Sequence, residues 1–154
     1  MKKITAIAIA LAALAIGCGP NFEMMPQPGF VEIEQEWDHY DYRAATPDGL
    51  VIAAREIEHD PKADASVWLK AIEGRLREGK GYALLERVEV KSADGVSGTQ
   101  LRFGHDDDTT PFLYYLTVFV TDDYIVLVEA GGEKELMTKS AATVASAVST
   151  FRVN

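Results

Sequence analysis

The chain has 154 residues, 24 acidic against 15 basic, a formal net charge of −9 and a single cysteine. One cysteine excludes an internal disulfide, so the fold must be held by its core alone. The acidic balance repels phosphate backbones and anionic headgroups, which argues against nucleic-acid binding.

The first twenty residues read as an export address. Lys2 and Lys3 supply a positive n-region, and Ile4 to Ile16 is a thirteen-residue run in which Thr5 is the only polar residue. That length suits a signal-peptide core of about 7–15 residues and falls short of the roughly 20 needed to cross a bilayer. The run ends in Ala15-Ile16-Gly17-Cys18, which resembles the bacterial lipobox, with Ala15 where Leu is most often seen. The peptidase needs a small residue before the cysteine, because the thiol first accepts a diacylglyceryl group and the preceding bond is then cut. Residues 1–17 are therefore expected to be a lipoprotein signal peptide, and Cys18 the acylated, palmitate-bearing N-terminus. Lipidation also accounts for a lone cysteine in an exported chain. Several acyl chains, at about 0.8 kcal/mol per buried methylene, anchor far more firmly than one. Gly19, where an inner-membrane retention signal has Asp, leans toward the outer membrane facing the periplasm if the host is Gram-negative. Without Lys2 and Lys3 the mature chain keeps 13 basic and 24 acidic residues, a net charge of −11.

Residues 19–29 carry three prolines and two glycines, which oppose both helix and central strand. They are expected to be a flexible tether, reaching up to about 30 Å at roughly 3 Å per extended residue. Residues 30–154 then form one domain of ordinary size.

Trp37 to Ala45 alternates as a strand, Thr46-Pro47-Asp48-Gly49 is a turn, and Leu50 to His59 returns as the second arm of a hairpin. Asp60-Pro61 breaks it. Asp64 or Ser66 caps a helix predicted to run to about Glu78, with Ala65, Trp68, Leu69, Ile72 and Leu76 on one stripe, ended by Gly79 and Gly81. Four strands follow: Tyr82–Lys91, Thr99–His105, Phe112–Val120 and Tyr124–Ala130. Their connections are Ala93-Asp94-Gly95, the Asp106–Pro111 loop and Thr121-Asp122-Asp123, and Gly131-Gly132 closes the set. A last helix over Ser140–Thr150 places Val144, Ala145, Val148 and Phe151 on one face, with Met137 and Ala141 leading in.

Phe112–Val120 decides the architecture. Phe112, Tyr114, Leu116, Val118 and Val120 share one face while Leu113, Tyr115 and Phe119 share the other, and a strand apolar on both faces is covered twice. With two helices available, the prediction is an α+β fold. It is an α/β/α sandwich around a mostly antiparallel sheet of about six strands, with a helix on each face.

The order of hairpin, helix, four-strand meander, Gly-Gly and closing helix resembles the PsbP-like superfamily, which includes bacterial DcrB-like lipoproteins. So do the phrases Tyr82-Ala83-Leu84-Leu85, Gly98-Thr99-Gln100-Leu101-Arg102-Phe103, Tyr124-Ile125-Val126-Leu127-Val128-Glu129-Ala130-Gly131 and Ser149-Thr150-Phe151-Arg152. The resemblance covers roughly residues 30–154. It implies a mostly non-enzymatic role, since the superfamily holds photosystem accessory subunits, a nuclear Ran-binding factor and secretion-effector chaperones. It assigns no binding residue to this chain.

The chemistry on offer is thin. Asp106-Asp107-Asp108-Thr109-Thr110 could ligate Ca²⁺, with His105 beside it. Against the calcium-loop pattern, however, the sixth position is Pro111 where Gly is required and the twelfth is Thr117 where Glu is required. His39, His59 and His105 lack the i, i+4 spacing of a zinc protease, although the hairpin would bring the first two near each other. Gly95-Val96-Ser97-Gly98 lacks the spacing and strand-to-helix setting of a nucleophile elbow. Gly79-Lys80-Gly81 follows a helix where a phosphate loop follows a strand. Trp37, Tyr40, Tyr42, Tyr114 and Tyr115 form an aromatic group, of which Trp37, Tyr40 and Tyr42 are the candidate interaction surface. The expectation is a non-enzymatic envelope lipoprotein with no cofactor and no catalytic residue, touching the membrane through its lipid and binding a protein partner. The alternatives are a carrier of a small or lipidic ligand in a sheet groove, or a metal-dependent enzyme.

Overall fold

A computed structural model describes residues 19–34, 39–107 and 109–154, with Asp107 described by its backbone. The elements in chain order are β1 (Phe22–Glu23), β2 (Val31–Glu32), β3 (Tyr42–Ala45), β4 (Val51–Glu58), α1 (Ala65–Lys80), β5 (Ala83–Lys91), β6 (Ser97–Asp107), β7 (Thr110–Val120), β8 (Tyr124–Glu133), α2 (Lys134–Lys139), α3 (Ala141–Thr150) and β9 (Arg152–Val153). Seven strands form one antiparallel sheet in the order β2-β3-β4-β8-β7-β6-β5. β1 and β9 make a separate two-stranded pair.

Strand alternation sorts the side chains into two cores. On one face Leu101, Phe103, Leu116, Val118, Ile125 and Leu127 meet Leu76, with Trp68, Leu69 and Ile72 packed alongside, all four on α1. On the other, Ala54, Phe119, Val126 and Val128 meet Val148, Phe151 and Phe22, while Leu50, Ile52, Leu113 and Ala130 meet Met137, Val144 and Ala147. Both faces of β7 are therefore buried, as its pattern predicts: Leu116 is 3% exposed and Phe119 0%. The architecture is the expected helix-covered antiparallel sheet, with more strands than expected because β2 extends one edge.

Several local expectations give way to tertiary context. α1 runs through Gly79, whose helix cost is about 1 kcal/mol, and stops at Gly81, whose φ of +71° is left-handed. Gly81 N–H donates to the Arg77 carbonyl and Tyr82 N–H to that of Leu76, which satisfies the helix end. Gly131-Gly132 lies inside β8, because Gly131 pairs with Val51 and Tyr114, and Gly132 with Leu113. The Asp106–Pro111 segment is the end of a tight hairpin, its ladder continuing to Asp107–Thr110. On α3 the buried stripe is Val144, Ala147 and Val148, with Ala145 exposed.

The segment expected to be a tether is part of the body. Phe22 is 5% exposed, stacks on Phe151 at 5.2 Å and pairs with Val153, and Gln27 is buried. Prolines stop a central strand but not a two-residue one, and the apolar area of Phe22 finds a slot beside α3. The packed unit thus begins at Asn21 rather than near Phe30.

Candidate functional site

α1 does not cover its whole face of the sheet. Its stripe lies over β5, β6, β7 and the Tyr124 end of β8. Where β3, β4, β8 and β7 run side by side toward the 46–49 turn, the same face is left open. Register puts Arg43 opposite Ala53, Ala53 opposite Glu129, and Gly131 opposite both Val51 and Tyr114. Ala53 with the bare backbone of Gly131 and Gly132 makes a floor, and Tyr40, Phe112 and Tyr114 make walls. The result is a partly open, mostly apolar groove of about 350 Å³, with Arg43 and Glu129 among its polar groups.

Glu129 is the centre of its polar chemistry. The residue is 7% exposed, and from Ile125 to Gly132 the other residues of its strand are apolar or glycine. Such a carboxylate is tolerated only when paired and hydrogen-bonded. Its Oε2 accepts from the Tyr40 hydroxyl at 2.9 Å and the Tyr114 hydroxyl at 2.8 Å, and its Oε1 from Arg55 Nε at 3.2 Å. The Arg55 guanidinium in turn lies 5.6 Å from the Tyr40 ring centroid, a cation–π contact. Burial, and then the negative Glu129 beside it, push the Tyr114 hydroxyl far above its usual value of 10, so it stays a donor. The groove therefore carries a carboxylate whose bonds are made within the protein, and two phenols that hold it. This arrangement orients walls and offers a polar spot to a ligand; it presents no activated nucleophile.

The predicted aromatic group is split by strand alternation. Tyr40 and Tyr114 meet at Glu129. Tyr42 pairs with Ala54 on the opposite face and packs against the core there. Tyr115 also lies on that reverse face, 4.9 Å under the Arg102 guanidinium. Trp37 lies outside the described residues, as do Asp108, Cys18 and the lipobox Ala15, Ile16 and Gly17.

The histidines do not converge. His39 is exposed ahead of β3. His59 is buried after β4, where Nδ1 donates to the Thr121 carbonyl at 2.6 Å and Nε2 accepts from Ala63 N–H at 3.0 Å. That pair of bonds ties the loop after β4 to the β7–β8 turn. His105 packs on the Tyr82 ring at 4.9 Å and Asp106 is exposed. Among the described residues no three His, Cys, Asp or Glu side chains are gathered as a metal would need. Among the same residues no helix is long and apolar enough to cross a membrane.

Glu129, Arg55 and the Ala53–Gly131–Gly132 floor were not singled out in the sequence. One signal was present: Glu129 interrupts Ile125-Val126-Leu127-Val128 and Ala130, and a lone acid in a doubly buried strand demands a partner.

No protein-family model and no curated protein matches the chain. Solved structures do match it. Solution-state CyanoP, the cyanobacterial PsbP of Synechocystis sp. PCC 6803, aligns over 87% of this chain and 87% of its own, with 12% identity and a TM-score of 0.59. The fold is PsbP-like. LpqN, involved in cell envelope biogenesis of Mycobacterium tuberculosis, aligns over 90% of this chain and 87% of its own at 13% identity and a TM-score of 0.71. The Ran-binding protein Mog1p of Saccharomyces cerevisiae aligns over 86% and 90% at 13% identity and a TM-score of 0.60. At such identities the likeness is one of fold alone.

Proposed function

We propose that this chain is a lipid-anchored, non-enzymatic accessory protein of the bacterial cell envelope that binds a protein segment in the Tyr40–Phe112–Tyr114 groove. The lipobox at Ala15–Cys18 supports the anchor, and the likeness to LpqN, described as an envelope biogenesis protein, supports the location. The observation that carries the binding role is the groove itself. It is open and mostly apolar, and the carboxylate beside it is spent on Tyr40, Tyr114 and Arg55. A site built for catalysis would leave convergent polar groups to the substrate. The groove's volume, at the lower end of about 300–1,000 Å³ for small-molecule pockets, favours a second reading: a carrier of a compact amphipathic ligand.

A photo-crosslinking residue placed at Val51 in the producing cell tests this, with Glu86 on the reverse face as the control. The expected result is a discrete protein adduct from Val51 and none from Glu86, lost when Ala53→Trp fills the floor. A co-purifying small ligand that Ala53→Trp expels would select the second reading. Equal adducts at both positions, or neither adduct nor ligand, would remove the groove as the binding surface.

A further inference from the structure

We propose that a very short connection between the anchor and the body fixes how the protein stands at its membrane: the β1–β9 end faces the bilayer and the groove faces water. This rests on the reading of Cys18 as the lipidated residue.

The body begins abruptly. Asn21 N–H donates to Glu56 Oε2 at 2.8 Å, and its side-chain amide bonds the same carboxylate. The Asn21 carbonyl accepts from Asn154 N–H at 3.0 Å, and the Asn154 carbonyl accepts from the Tyr124 hydroxyl. Phe22, the next residue, is in the core. Only Gly19 and Pro20 lie between Asn21 and Cys18. Three Cα–Cα steps of 3.8 Å allow at most about 11 Å between the lipidated residue and the body.

The groove is out of that range on two counts. First, its centre lies further along β4 and β8 than the point where Asn21 is held. Asn21 is held at Glu56, near the Tyr124 end of β8, while the groove sits around Val51 and Gly131–Gly132. Along β4, Val51 stands five residues from Glu56, roughly 17 Å at about 3.3 Å per residue. Second, it opens on α1's face, whereas β1 packs with α3 on the reverse face. Tilting the body onto either face of the sheet does not turn the groove to the bilayer. Upright, the body rests on the Thr121–Asp123 end. Tipped onto the β1 side, it turns the groove outward. Tipped onto α1, it would lift Asn21 by about 20 Å, the depth of a helix layer plus the sheet and the layer behind it, which exceeds the connection. The occupant of the groove therefore arrives from the aqueous side, and a lipid drawn straight from the anchoring leaflet is disfavoured.

The lone native cysteine makes a clean test possible, because once Cys18 is acylated a single introduced cysteine is the only free thiol. Full-length lipidated protein carrying Asp122→Cys or Thr109→Cys, both exposed positions at opposite ends, is labelled with a fluorophore. It is then reconstituted in phosphatidylcholine vesicles whose headgroups bear a short-range nitroxide quencher. The label at Asp122 is expected to be quenched and that at Thr109 not. A long Gly/Ser insert between Pro20 and Asn21 is expected to abolish the difference. Equal quenching at both ends, no quenching at either in protein that floats with the vesicles, or a difference that survives the insert would overturn the proposal. A protein that does not float and whose mature N-terminus has an unmodified mass would instead overturn the lipid-anchor reading beneath it.

Discussion

Replacing Glu129 measures how much of the groove's geometry depends on one carboxylate. In Glu129→Ala the Tyr40 and Tyr114 hydroxyls lose their common acceptor, and Arg55 Nε loses its partner. A buried donor left without a partner costs about 1–3 kcal/mol. Arg55 is 36% exposed and can turn to water, so its share is that of a surface ion pair, about 0–1 kcal/mol. Tyr40 has part of its surface in water, so the Tyr114 hydroxyl dominates and the total comes to about 2–4 kcal/mol. Glu129→Gln keeps an oxygen for the two phenols and sets its NH₂ against Arg55, for a cost of about 0.5–1.5 kcal/mol. Denaturant unfolding followed by far-ultraviolet circular dichroism reads both variants against wild type. Equal costs, or a Glu129→Ala cost below about 0.5 kcal/mol, would refute the picture of a desolvated carboxylate holding two walls.

Leu116→Ala and Phe119→Ala truncate buried side chains on opposite faces of β7, so both are expected to lower unfolding free energy, by about 2–5 and 3–5 kcal/mol; a near-silent variant would mean an uncovered face. Gly98→Ala would place a methyl 2.5 Å from the Phe119 ring and 2.8 Å from the Val118 carbonyl, and should cost about 1–3 kcal/mol by the same assay. Removing residues 19–29 takes away Phe22 and should destabilise by about 3–5 kcal/mol, whereas a true tether would be lost at no cost. Tyr114 supplies an alkaline signature, because its folded hydroxyl is held above the ordinary value of 10 while that of the unfolded chain is not. The unfolded state then binds fewer protons above about pH 10, so stability falls as pH rises through that range. Tyr114→Phe is expected to flatten the fall in a pH series of melts.

The sheet was legible because its strands advertise themselves. Phe112–Val120 is apolar on both faces, and Trp68, Leu69, Ile72 and Leu76 mark a helical stripe that does pack where the pattern puts it. The misses share a physical cause. α2 has six residues and β1 and β9 two each, too short to display a period. Gly131 and Gly132 read as a stop because glycine weakens strands, yet β4 and β7 on either side supply the ladder that keeps them in one. The missing side chain at Gly131, where a Cβ would meet the Tyr114 ring, is also what leaves the groove a floor. The groove could not be read from any single segment, since it exists where α1 ends and the sheet goes on. Tyr40, a candidate for the interaction surface by sequence, does line that groove, but Tyr42, two residues on, points away.

Hydroxyl-radical footprinting of the protein in its own envelope, set against the purified protein, addresses the groove most directly. Tyr40 and Phe112 are half-buried walls that a bound partner would shield, while Leu85 and Val67, 61% and 54% exposed, lie away from it. The expected result is reduced oxidation of Tyr40 and Phe112 in the envelope with Leu85 and Val67 unchanged. Unchanged oxidation of Tyr40 and Phe112, with protection only at Leu85 or Val67, would contradict the groove as the surface through which this protein works.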